Sequence, residues 1–147
     1  MQTKMLIDGR LIDGEGAEEL ILNPATGEPL AKVREASEAQ IAGAVQAAGR
    51  AFATWGLTTP QERSLLLLRL AERIEQEGRA FAELESLNCG KPRVRAFADE
   101  IPAIVDCIRY FAGAARVLGG SAADEYLPGH TSMIRRDPVG VVAQITP

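Results

Sequence analysis

No apolar run in this 147-residue sequence approaches the ~20 residues that a membrane-spanning helix needs. The longest leucine run, Leu65 to Leu68, is flanked by Arg63 and Arg69. Basic clusters are just as scarce. None is longer than Arg135-Arg136, and the net charge is −4, so the electrostatic footprint of a nucleic-acid binder is missing. Met1-Gln2-Thr3-Lys4 opens without an apolar h-region, so no secretory signal is expected at this start. There is one histidine, His130, and it lies in a Pro-Gly loop, where a surface position is its default reading. Two cysteines, Cys89 and Cys107, have neither the spacing nor the accompanying histidines of a metal site. With no signal, they read as reduced thiols and make a cytoplasmic protein the expectation.

What is present is globular. The chain is 46% apolar and 24% charged, within the range of one ordinary domain. Asp8-Gly9 sits between Lys4–Ile7 and Arg10–Ile12, the signal of a type I′ hairpin. Asn23-Pro24-Ala25-Thr26-Gly27 is a turn between Glu19–Leu22 and Pro29–Arg34. The pattern then changes to helix. Ser37-Glu38-Ala39-Gln40 and Thr59-Pro60-Gln61-Glu62 both fit a capping box. Ile41, Ala44, Val45, Ala48 and Phe52 form the first apolar stripe, and Leu66, Leu67, Leu70, Ala71 and Ile74 the second, closed by Gly78. Phe81, Leu84 and Leu87 mark a third helix. Phe97, Ile101, Ile104, Val105, Ile108, Phe111 and Ala115 mark a long fourth, with Pro102 either in its first turn or at a kink. Trp55, Phe52, the leucines and Cys107 are expected in the core, and Arg109-Tyr110-Phe111 is expected to pack that helix under a sheet. Residues 119–130 read as a loop and Thr131–Arg136 as a partly exposed strand.

Val139 to Ile145 is a short apolar run rich in β-branched residues, which reads as a strand buried on both faces of a parallel sheet. A parallel strand needs neighbours, so the chain is expected to be one part of a larger α/β fold. The tip of such a strand faces the crevice where ligands bind. Gly14-Glu15-Gly16-Ala17 is no dinucleotide fingerprint, because it follows a hairpin and opens no helix.

The run Arg136-Asp137-Pro138-Val139-Gly140-Val141-Val142-Ala143-Gln144-Ile145-Thr146-Pro147 resembles the first nucleotide-domain strand of the aldehyde dehydrogenase superfamily. Asn23-Pro24-Ala25-Thr26-Gly27-Glu28, Ala51-Phe52 with Trp55, Glu62-Arg63, Gly90-Lys91-Pro92 and Arg109-Tyr110-Phe111-Ala112-Gly113 match in the same order. The resemblance implies an α/β fold in which residues 1–147 form the N-terminal portion of the NAD-binding domain. That portion comprises short antiparallel strands, four helices and the first buried parallel strand, with part of the oligomerisation segment near 120–137. The catalytic domain, with the family's reactive Cys and general-base Glu, is expected beyond Pro147. This stretch alone is therefore expected to be inactive.

The resemblance also implies NAD as cofactor, contacted by Ile145, Thr146 and Pro147. It implies a possible monovalent cation held by Glu100 with a carbonyl near Leu22, for which a solvated acidic helix start is an equally open reading. Asp106 is a further candidate, near a substrate tunnel that would take an amino group. Cys89, in a helix-end loop with no base beside it, is not expected to be the nucleophile. Residues 87–92, 99–106 and 125–136 look most similar to the gamma-aminobutyraldehyde dehydrogenases of bacteria, which oxidise 4-aminobutanal. A small-molecule aldehyde substrate and a homodimer or homotetramer follow from that. Betaine-aldehyde or other enzymes of the superfamily are the alternative, and a non-catalytic helical binding module is the alternative of another class.

Overall fold

The computed structural model describes residues 1–146, without the side chains of 122 and 123. Three two-stranded antiparallel hairpins bracket a set of helices. Strands β1 (Met5–Ile7) and β2 (Arg10–Ile12) are joined by Asp8-Gly9, at φ 52° and 74°. Both residues are left-handed, as a type I′ turn requires. Strands β3 (Glu18–Leu22) and β4 (Pro29–Arg34) are joined through Asn23. Its side-chain oxygen accepts from Ala25 N at 2.9 Å, and its carbonyl accepts from Gly27 N at 2.7 Å. Both hairpins and their turns follow the sequence reading.

Helices α1 (Glu38–Trp55) and α2 (Pro60–Gln76) both start with the expected capping boxes, at Ser37/Gln40 and Thr59/Glu62. Each box satisfies two backbone donors that the helix start would otherwise leave bare. Helix α3 (Gly78–Cys89) follows after one residue and ends at Gly90, left-handed at φ 74°. Gly78 does not close α2 in a left-handed turn, as the sequence suggested. It opens α3 and lets two elements touch: a Cβ there would lie 2.9 Å from Ile101 Cγ2.

A single turn α4 (Arg93–Arg95) runs into a π-helical turn, Ala96–Glu100, and then into α5 (Ile101–Val117). Pro102 lies in the first turn of α5. It has no N–H to give to the preceding turn, and its ring would crowd a carbonyl there. The wider π turn just before it is where such a conflict is absorbed.

The core is the crossing of α2 with α5. Ala71, Ile101 and Val105 are buried there, with Ile74 and Ile108 packed around them. Ala82, Ala96 and Ala112 are buried as well. Small side chains at these points let the helix axes approach closely. Arg109 on α5 also reaches Glu75 on α2 with a two-pronged ion pair, at 2.6 and 3.4 Å.

Several expectations about burial are overturned. Trp55 is 47% exposed, Leu66 and Leu70 are about half exposed, and Cys107 is exposed. Tyr110 and Phe111 meet edge to face but are both exposed, so this helix packs on α2 and lies under no sheet among the described residues. The apolar residues do fall at helical spacing on α1, α2 and α5; what covers each stripe is a non-local matter. Ser121–Leu127, expected as loop, is strand β5, paired with β6 (His130–Ile134) around Gly129 at φ 74°. Residues 139–145, expected as a buried strand, form no ladder in this structure. Val139, Val142 and Ile145 are largely exposed. A parallel strand gains its hydrogen bonds only from neighbours on the sheet, and none is present among the described residues.

Candidate functional site

The segment leading to the expected cofactor contact starts with an ion pair. Arg135 Nε donates to Asp137 Oδ1 at 2.8 Å, and Arg136 Nε donates to Gly119 O at 3.0 Å, which ties the segment to the end of α5. After Pro138 the chain runs along α1. Gly140, Val141 and Val142 form one wall of a groove of about 260 Å³, and Ala48, Ala51, Phe52 and Trp55 form the other. The C-terminal half of the predicted α1 stripe thus finds its companion. Beyond it, Ile145 is 99% exposed and Thr146 is exposed. Pro147 lies outside the described residues.

The second candidate lies at the bend between α3 and the π turn. Gly90 abuts the Asn23-Pro24 turn, since a Cβ on Gly90 would lie 2.9 Å from Pro24 Cγ. The bend therefore brings Gly90-Lys91 beside the residues that follow Leu22, itself half exposed at the end of β3. Across the bend, the Lys91 ammonium pairs directly with the Glu100 carboxylate. Asp99 pairs instead with Arg95, at 3.3 Å. Neither the resemblance nor the spacing pointed to Lys91 as the partner of Glu100; the two meet only because the π turn folds the chain back.

The remaining chemistry-bearing residues stay apart. Cys89 is exposed at the end of α3, with Asn88 Nδ2 at 3.6 Å from its sulfur, and no base is hydrogen-bonded to it. Asp106 is exposed on α5. His130 Nδ1 lies 3.1 Å from Pro128 O, within the β5–β6 turn. No group of three or more His, Cys, Asp or Glu side chains among the described residues is placed to hold a metal ion. No helix there is long and apolar enough to cross a membrane.

Gly14-Glu15-Gly16 is an irregular connection between β2 and β3, with a bend at Gly16. Gly14 is buried directly against the Arg34 and Glu35 carbonyls, and Gly16 N donates to Glu35 O at 2.9 Å. The strand ends it joins also meet the start of α1. Gln40 Oε1 accepts from Ser37 N and Glu15 N, both at 3.0 Å, and Gln40 Nε2 donates to Asp13 O at 2.9 Å. The loop carrying Glu15 is thereby pinned to the α1 cap.

Residues 12–147 match the aldehyde dehydrogenase family model. The chain belongs to that family. Its relatives include the mitochondrial aldehyde dehydrogenase of Leishmania tarentolae, 35% identical over 100% of this chain and 30% of that protein. The betaine aldehyde dehydrogenase of Bacillus subtilis is 36% identical, again over 100% of this chain and 30% of its own. Among solved structures, a betaine aldehyde dehydrogenase variant from Staphylococcus aureus in complex with NAD+ superposes with a TM-score of 0.87. It is 30% identical, over 94% of this chain and 28% of that one. This aldehyde dehydrogenase chain thus spans about three-tenths of the length of the relatives it matches. Its helices and hairpins are the N-terminal part of the family's α/β fold.

Proposed function

We propose that the chain is the N-terminal, cofactor-facing part of an NAD-dependent aldehyde dehydrogenase that oxidises 4-aminobutanal to 4-aminobutanoate. The superposition on a family member solved with NAD+ supports the cofactor and the reaction class. The choice of 4-aminobutanal rests on the resemblance of residues 87–92, 99–106 and 125–136. The dinucleotide, when bound, accepts the hydride. This chain's own part is to hold it. Ile145 and Thr146, exposed and in no ladder, are proposed to turn their backbone groups to the dinucleotide once 139–145 is paired as a strand, at whose carboxyl end a ligand crevice opens. Pro147 is proposed with them from the family resemblance.

Neither cysteine is proposed as the reacting thiolate, since no base hydrogen-bonds to Cys89 or Cys107 among the described residues. The nucleophile, the oxyanion donors and the base that activates water for thioester hydrolysis are proposed to come from the rest of the enzyme. Asp106, exposed on α5, is proposed to favour an amino-bearing aldehyde by charge. The β5–β6 hairpin, with Tyr126, Leu127, Met133 and Ile134 exposed, is proposed as part of the oligomerisation segment near 120–137 of a dimer or tetramer.

The test is steady-state oxidation of 4-aminobutanal and betaine aldehyde, with NAD, by the enzyme that carries this segment. The reading expects kcat/KM for 4-aminobutanal to exceed that for betaine aldehyde by at least about tenfold, the scale of one pocket contact. The reverse order would favour the betaine aldehyde reading, to which the Bacillus and Staphylococcus relatives lend weight. No NAD-dependent turnover of any aldehyde would sink both. The 147-residue polypeptide alone is expected to be inert.

A further inference from the structure

We infer that Lys91 is the resident cation at the α3–α5 bend: its ammonium, and no inorganic ion, neutralises Glu100. A monovalent metal ion would need several oxygen donors converging on one point. The geometry supplies something else. Gly90 takes a left-handed conformation and packs on Pro24, which turns the chain so that Lys91 points back across the bend. The π turn Ala96–Glu100 presents Glu100 to the same place, and the two side chains pair directly. The neighbouring carboxylate, Asp99, pairs with Arg95 and not with the Lys91–Glu100 pair.

Lys91 also stands two residues past the end of α3, where a helix terminus carries partial negative charge and favours a cation. One side chain therefore serves a helix end and a carboxylate. It also fastens the loop that abuts the Asn23-Pro24 turn to the π turn before Pro102. Lys91 is a positioning residue in this arrangement, and Glu100 is its counter-ion. Both side chains are more than a third exposed, at 39% and 36%, so the energetic effect is small and the test rests on ion selectivity.

The experiment is thermal unfolding of the full-length protein that carries this segment, in potassium, sodium and choline chloride at one ionic strength. The expected result is a midpoint that does not depend on which cation is present. Lys91→Met and Glu100→Gln are each expected to lower it by about 2 °C, and the double variant by no more than either alone. Lys91→Arg should keep the wild-type midpoint, which guards against a variant that misfolds for other reasons. Wild-type protein that is stabilised by potassium or sodium over choline, with Glu100→Gln abolishing that preference, would overturn the assignment. Additive losses in the two single variants would do the same. A cation preference that survives Glu100→Gln places any metal elsewhere and leaves Lys91 as the partner of Glu100.

Discussion

Gln40 does more than close a capping box. Its amide holds two backbone N–H groups and one carbonyl, and two of the three belong to the Asp13–Glu15 segment rather than to α1. Gln40→Ala is expected to cost about 1 kcal/mol, the scale of a lost cap, read as a lower urea midpoint. Gln40→Glu keeps the acceptor and loses the donor to Asp13 O, so it should fall between the two. Glu62 carries a pH signature. Hydrogen bonds from the Thr59 backbone N–H and hydroxyl, at 2.7 and 2.9 Å, hold its carboxyl below the ordinary value of 4.5. A depressed folded-state pKa means that its contribution is complete above the unfolded value and is lost as pH falls below about 4.5 toward the folded one. Wild type should therefore be more stable than Glu62→Gln at pH 7, with the gap closing by pH 2 in paired thermal melts. A gap that persists unchanged at pH 2 would mean that the charge plays no part. These residues were legible in the sequence because a capping box is local: its donor and acceptor lie three positions apart. The pairing of Glu100 with Lys91 was not, since a π turn had to bring the two together.

Among the elements, Gly43 of α1 and Gly78 of α3 make a matched pair with opposite expectations. A Cβ at Gly43 meets nothing within 4 Å, so Gly43→Ala should stabilise α1 by up to about 1 kcal/mol. A Cβ at Gly78 runs into Ile101 Cγ2 at 2.9 Å, so Gly78→Ala should push α3 away from α5 and destabilise. Denaturant midpoints of the two variants check both signs. A loss at Gly43 in the whole enzyme would mean that another part of the protein rests on that face. Hairpins β1–β2 and β3–β4 were legible because Asp8-Gly9 and Asn23 to Gly27 can make few other turns. Strand β5 was missed because Asp124, Glu125 and the glycines before it are poor strand formers; its pairing with β6 is decided across the turn and by no local preference. The 139–145 run shows the opposite failure. Its side chains announce a buried strand, yet the ladder depends on strands that are not among its neighbours here.

For the whole molecule, the apolar stripes were legible and their covers were not. Ile41 and Val45 on α1, Leu66 and Leu70 on α2 and Phe111 on α5 all remain about half exposed. A surface so rich in large apolar side chains is the mark of faces built to receive more protein. The 147-residue chain in isolation is accordingly expected to bind ANS and to unfold over a broad range, while the full-length enzyme should do neither. A sharp, ANS-silent transition in the isolated chain would show that these faces need no cover.

The α2–α5 crossing has a consequence for how the enzyme is made. Every residue of that small core lies between Ser64 and Ala112. At a synthesis rate of about 5–20 residues per second, these helices can close on one another soon after they leave the ribosome, whether or not 139–145 has been paired. The chain would then carry a finished helical platform and an unpaired apolar segment after it. That platform protects the newest segment only along α1, where Val141 and Val142 lie beside Phe52 and Trp55. Until it is paired, the side of 139–145 turned away from α1 is the stretch most open to aggregation, with Val139 and Ile145 almost fully exposed.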